Sequence, residues 1–499
     1  MSVASQAELR PSEAGGITKN PVVGSHTLPL ILLLVVFLAS RFIYFLAGIR
    51  FNADTLSYWH VIDPFLLRTD LWRSLFYLHS QPPLMNLFLG SVLQVFPKQH
   101  NLVFQISYLV VGLVLMFSLY GLAVALRLPR WGAALFAGWF ILSPAAILYE
   151  NWLALPYPLT ACLAAAGFCL SRFIRTRRLI WSIMFFSLLA VLALTWALFH
   201  ILWLLAVSVI VLLFSPQPRT IWLIALLPTL LVTAWYVKNQ VVFGEFTASS
   251  WAGMNLSKIT TFRLPPELRE GMVVSGELSK FAEYPPFRNV GLYLKMLPQT
   301  EKTSIPMLDA EYTSRDGRNF HHLVYVEAGL YYLGDALNSL RAHPGYYLLA
   351  VRQSFYIFFH SASDFDLIVG ERRPIESFGG WWNRIFYGQW FNDESSEARN
   401  SGISLLNLGW WIVIAFVVIL AAGSIYLLNW HRNGTESQYL LIAFMFINIV
   451  YVTLVGNFMD VGENNRFRFV VDPFLFLLFI HFVQLGVARL RRGSSSAAS

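Results

Sequence analysis

Apolar residues along this chain run in long blocks. They neither alternate nor recur at every third or fourth position. Ten blocks approach the ~20 residues that an α-helix needs to cross a bilayer. They cover 28–48, 102–126, 131–149, 156–173, 179–196, 198–215, 220–237, 403–428, 438–458 and 469–488. The pattern predicts an all-α polytopic membrane protein with about ten transmembrane helices. At Thr195–His200 polar residues interrupt the apolar run, so one bent helix is the alternative there to two spans. The first block is too long for the apolar core of a signal peptide and reads as a retained anchor.

Two more apolar stretches do not fit as spans. Residues 82–97 are too few, and 345–360 carry Arg352. Both are expected as helices lying in the membrane interface. No repeat of fixed period is visible, and the loops are uneven, which argues against the paired halves of many transporters.

Charge orients the spans. With the N-terminus inside, the inner segments hold 13 Lys and Arg against three acids, a net +10. The loop 238–402 holds 16 basic and 18 acidic residues. Basic residues collect on the cytoplasmic side of membrane proteins. The organisation expected is therefore a cytoplasmic tail (1–27), a transmembrane module (28–237) with a large first outer loop (49–101), a mixed outer subdomain (238–402), C-terminal transmembrane helices (403–488) and a second cytoplasmic tail (489–499). The chain's overall +8 is a topology signal, and nucleic acid is not an expected partner.

Composition agrees. Of 499 residues 56% are hydrophobic and 13% charged, which excludes a disordered chain, a disulfide scaffold and an ordinary soluble enzyme. Cys162 and Cys169 lie in one apolar run and read as packed thiols. No acidic cluster has metal-ligand spacing, so no obligatory metal is expected, with a divalent ion as the alternative.

Candidate chemistry gathers in the predicted outer segments. Asp54 follows the first span by a few residues, where partial burial would raise its pKa and make it a better general base; the plainer reading is a solvated loop aspartate or a helix N-cap. His79 precedes Pro82–Pro83 at the bilayer edge, as a ligand for phosphate or a sugar hydroxyl, or as a packing residue. Lys238 leaves the seventh block beside Trp235 and Tyr236, either as a snorkelling interfacial lysine or as a cation for phosphate. Near the last span, Asp460, Glu463, Arg466, Arg468 and Asp472 crowd together. Such a cluster between apolar helices is costly unless paired or functional. Glu463 and Arg466 are spaced to pair on one helical face. Alternatively, Arg466 faces an anionic ligand, with Glu150 joining the same pocket.

Four stretches, in this order, resemble the GT-C superfamily of membrane glycosyltransferases, in particular the bacterial relatives of dolichyl-phosphate-mannose protein mannosyltransferases. They are Asp54 after the first span, HSQPPL from His79, KN…FGEF…SS from Lys238 to Leu256, and GENNRFRF…P from Glu463 to Pro473. One departure is that Asp54 is followed by Thr55, where that family often shows a second acid. The resemblance implies an inverting hexosyl- or pentosyltransferase. It would move a sugar from a polyprenyl-phosphate donor to a hydroxyl of a glycan, lipid or protein. Asp54 would be the catalytic base, Lys238 and Arg466 the phosphate-binding cations, and His79, Glu150 and Glu463 substrate-binding residues. It also implies a multi-pass protein of the bacterial plasma membrane with an outward-facing site, or of the endoplasmic reticulum in a eukaryote. The rival expectation is a transporter or flippase of a lipid-linked substrate, which would need intramembrane charges facing a central path.

Overall fold

The computed structural model describes residues 26–58, 60–214, 217–300, 302–390, 405–429 and 436–497. Each of the ten apolar blocks is mainly helical over its described part. In chain order these are α1 (Thr27–Leu46), α3 (His100–Ala125), the pair α4 (Arg130–Leu142) and α5 (Pro144–Glu150), α6 (Pro156–Thr176), α7 (Leu179–Thr195), α8 (Ile201–Leu213), α9 (Pro218–Phe243), α13 (Trp410–Leu428), α14 (Glu436–Met459) and α16 (Asp472–Ala497). The two stretches set aside as interfacial form α2 (Leu84–Val95) and α12 (Pro344–Phe358). Three shorter site elements are α10 (Ala252–Ile259), α11 (Val324–Ala342) and α15 (Asn464–Phe469).

The expected count of ten spans needs correction. Among the described residues seven helices are long and apolar enough to cross a bilayer, or eight if α4 and α5 are one broken span. That pair bends by 60° at Ser143, which caps α5 through its hydroxyl, with Pro144 as the first helical residue. Proline suits that position but cannot continue α4, because it lacks the N–H. At 1.5 Å per residue α7 and α8 are only about 26 and 20 Å long, less than the ~30 Å hydrocarbon thickness. Both are short because the chain turns out of helix between Trp196 and His200.

Helix α1 shows how the bundle meets its surroundings. Pro29, Leu33, Phe37 and Ser40 make one buried stripe, while Leu28, Ile31, Val35, Leu38 and Phe42 are exposed. An apolar exposed face suits lipid and not water. One large core of apolar side chains runs through the bundle. A second, aromatic core of Trp251, Phe281, Tyr293, Tyr325 and Tyr332 lies in the segment after α9. That segment, expected to be mixed, is helical and contains no strand among the described residues.

Candidate active site

A large cavity opens where α7 and α8 fail to join. Trp196 ends α7 in extended conformation, and His200 caps α8 by accepting from the Leu202 N–H. Such a break leaves backbone groups without helical partners deep in the bundle. Two tyrosines satisfy them. Tyr451 on α14 donates to the Leu198 carbonyl at 2.7 Å and accepts from the His200 N–H, and Tyr236 on α9 accepts from the Ile201 N–H. The notch measures about 630 Å³, with Trp196, Leu198 and His200 in its wall.

Helix α10 supplies another wall. Its position depends on two glycines. A Cβ on Gly253 would stand 2.1 Å from the Gly329 carbonyl, and one on Gly329 would stand 2.5 Å from the Ser250 carbonyl, so α10 and α11 touch backbone to backbone. This close approach turns Asn255 and Lys258 of α10 toward the cavity. Opposite charges meet them there. Lys258 forms a 2.7 Å ion pair with Asp460, and Arg466 pairs with Glu463 one helical turn before it; all four residues line the cavity. Burial works against the Lys258 charge, but Asp460, with Glu463 behind it, more than offsets this and holds the ammonium above its usual range. Arg466 is 8% exposed, lies within 5.5 Å of the Trp196 and Phe365 ring centres, and keeps its Nε buried without a hydrogen-bond partner.

The dense C-terminal cluster thus splits in two. Residues two apart on a helix point to nearly opposite sides. Arg466 faces the cavity, whereas Arg468 turns inward, where it binds Asp472 at 2.8 Å and the carbonyls of Phe358 and His360. Glu150 is likewise absorbed by structure. Arg41 grips it with two hydrogen bonds of 2.9 and 2.6 Å, Tyr157 donates to it, and it does not line the cavity.

His79 is a cross-brace. Its Nε2–H donates to the His321 carbonyl at 3.0 Å, so its Nδ1 accepts from the Ser250 hydroxyl at 2.6 Å. Burial pushes its pKa down to about 3. The Ser249 hydroxyl donates to the Ser80 carbonyl, and Ser80 meets His321 Nδ1 at 2.6 Å. The HSQPP and SSW stretches, distant in sequence, are therefore stitched together beside the cavity. Lys238 serves the same seam. Its ammonium binds the Leu78 carbonyl and Asn239 Oδ1 and lies over the Trp235 ring, and it is not among the cavity's lining residues.

Asp54 is exposed at the start of a short 3₁₀ turn, Asp54–Ser57, where its N–H donates to Asn52 Oδ1. It does not cap a helix; Asp63 does, for Pro64–Thr69, while also accepting from Ser314. Thr55 and Tyr58, from the same segment as Asp54, line a smaller chamber that shares His60, Gln81, Trp196 and Arg466 with the main cavity. His60 is kept neutral by burial and by the nearby charges of Arg466 and Lys258, its pKa falling to about 3.

The structure brings Arg466 and Glu463 into the cavity, sets Asp54 beside the chamber-lining segment, and leaves Lys238, His79 and Glu150 holding the framework. Lys258 was the residue missed. Its only sequence signal was its i+3 spacing from Asn255 on an apolar helix. Among the described residues no group of three or more His, Cys, Asp or Glu is disposed to hold a metal ion.

Fold and cavity together define a polytopic all-α membrane protein with a charged, aromatic-walled cavity. All the segments lining it belong to the side that the charge pattern assigns as outer. No protein-family model and no curated protein sequence matches the chain. Two crystal structures of ArnT from Cupriavidus metallidurans align with it at 15% identity and a TM-score of 0.29. The apo structure covers 88% of this chain and 77% of that one; the structure bound to undecaprenyl phosphate covers 90% and 78%. A likeness of that degree decides neither fold nor activity.

Proposed function

We propose that the protein is an inverting glycosyltransferase that moves a sugar from a polyprenyl-phosphate donor to an acceptor hydroxyl on the outer face of the membrane. The observation that carries this reading is the convergence of Arg466 and Lys258 on one cavity between span-forming helices. The lipid tail would stay among the apolar helices, with its phosphate at the two cations. As the bond from the anomeric carbon to phosphate oxygen breaks, charge grows on that oxygen. Preorganised cations in a site shielded from water stabilise such charge strongly. Asp54 would take the proton from the acceptor hydroxyl, whose oxygen attacks the anomeric carbon from the opposite side. Phosphate is a good leaving group, so one displacement suffices.

In this scheme Lys238 and His79 hold the loop that frames the cavity, and Glu463 and Asp460 keep the two cations in place until phosphate arrives. A transport path is less well supported, because the charges buried in the bundle are tied in the pairs Arg41–Glu150 and Arg468–Asp472. Mass spectrometry of surface glycans and glycolipids from a deletion strain tests the reading. We expect one sugar to be missing from one glycan class and restored by the wild-type chain but not by Arg466→Ala. An unchanged glycan profile overturns it.

A further inference from the structure

The smaller chamber beside the main cavity has an uneven supply of polar groups. Its walls are mostly Tyr58, Trp152, Trp196 and aliphatic side chains. Buried polar atoms without a hydrogen-bond partner on its lining residues include Thr55 Oγ1, Gln81 Oε1, Trp152 Nε1 and Arg466 Nε. Buried polar groups left unpaired cost roughly 1–3 kcal/mol each, so several at one place point to a missing ligand. Asn86 and Thr195, by contrast, are occupied. Asn86 binds the Ile62 N–H and the His60 carbonyl, and Thr195 binds the Val191 carbonyl.

From this geometry we infer that the chamber receives the sugar ring of the donor, and that this sugar is uncharged. The inference rests on the proposed function and specifies its substrate. A hydroxyl both donates and accepts. Like the neutral acetamido group, and unlike an ammonium or a carboxylate, it can donate to Gln81 Oε1, accept from Arg466 Nε–H and do either with Thr55. Aromatic faces suit the apolar C–H faces of a sugar ring. An ammonium group would be buried beside Arg466, and no carboxylate lines the chamber; Asp460 and Glu463 line only the main cavity. A carboxylate would add a second negative charge beside Arg466, which Glu463 already pairs. The chamber measures about 40 Å³, room for roughly three waters on that measure. It therefore takes one edge of a single ring, with the anomeric carbon left beside Arg466 and the phosphate site.

The test uses the full chain in nanodiscs and displacement of radiolabelled polyprenyl phosphate. The competitors are unlabelled polyprenyl phosphate and polyprenyl-phosphate-linked glucose, mannose, arabinose, glucosamine and glucuronic acid. At least one neutral donor should bind about tenfold tighter than the bare lipid phosphate, as two or three new hydrogen bonds imply. Thr55→Val and Gln81→Leu should each remove most of that gain and leave binding of the bare lipid within twofold. Thr55→Ser should keep the gain. Thr55→Val should also melt no lower than wild type, because it deletes an unpaired group; a structural hydroxyl would lower the Tm. The inference is overturned if glucosamine or glucuronic acid gains as much as the best neutral sugar, if no donor gains, or if the gain survives both substitutions. If instead binding of bare polyprenyl phosphate is indifferent to Arg466→Ala, the proposed function itself fails.

Discussion

Lys258 on α10 and Asp460 in the link between α14 and α15, far apart in the chain, meet in a 2.7 Å ion pair on the cavity wall, beside the pair of Arg466 and Glu463. Each cation that suits a phosphate is thus held by its own carboxylate. An arriving phosphate must displace these acids, so their removal and removal of the cations have opposite effects. Asp460→Asn should tighten binding of polyprenyl phosphate several-fold at low salt, and Lys258→Met should weaken it by about tenfold or more, as expected for losing a charged hydrogen bond of ~1.5–3 kcal/mol. Displacement binding in nanodiscs measures both. Weaker binding by Asp460→Asn would mean that the acid positions Lys258 and does not compete with the ligand.

Arg466→Lys should impair transfer by about tenfold or more although the charge is kept. The guanidinium presents a planar fork that binds phosphate in two places and lies near aromatic rings, and an ammonium group reproduces neither property. Release of polyprenyl phosphate, followed by thin-layer chromatography, reads the rate. Equal rates for Arg and Lys would reduce the residue to a point charge.

Asp54→Asn should lower turnover by about 10²–10⁴-fold, the usual contribution of a general base, and leave Tm and donor binding unchanged. The side chain is exposed, so folding loses little. Wild-type turnover from purified Asp54→Asn protein would transfer the role to Glu463 or Asp460, the acids in the cavity.

Acid sensitivity should come from buried histidines. His79 is held neutral by burial, with its pKa near 3 in the folded chain against about 6.5 when unfolded. The unfolded chain therefore binds the proton first. Stability is fully present above about pH 6.5 and falls as the pH drops from there toward 3, by up to about 1.4 kcal/mol per unit for one such group. His79→Gln should lower the Tm at pH 7, because two buried hydrogen bonds are altered, and should flatten the Tm profile between pH 7 and 5. A profile as steep as wild type would show that His79 takes up its proton as readily in the folded chain as in the unfolded one.

Lys238→Met should lower the Tm without changing the affinity for polyprenyl phosphate by more than twofold, since the ammonium is engaged by the Leu78 carbonyl and Asn239. A tenfold loss of affinity at unchanged Tm would return Lys238 to the phosphate site.

Helix placement was legible in the sequence because burial in lipid demands long uninterrupted apolar blocks, and each predicted block is mainly helical where described. Arg466 and Glu463 were legible as well. Charges between apolar helices are costly, and their i+3 spacing alone sets up the pair. The sequence pattern also marked the interruption at Thr195–His200, although nothing local said that it was a cavity wall. That required Tyr451 and Tyr236, whose hydroxyls satisfy the broken backbone from two other helices. The tertiary structure alone decided which lysine joins Arg466. In the sequence Lys238 follows Trp235, Tyr236 and Val237, Lys258 stands among Asn255, Ser257, Thr260 and Thr261, and neither pattern says which lysine faces the cavity. The contact of Gly253 with Gly329 turns Lys258 to the cavity, while the stitched His79–Ser250 seam draws Lys238 away to Leu78. Local pattern fixes which face of a helix is apolar, because that depends on residues one turn apart. Which faces meet depends on close approaches between segments remote in the chain, and single-sequence spacing carries no record of those.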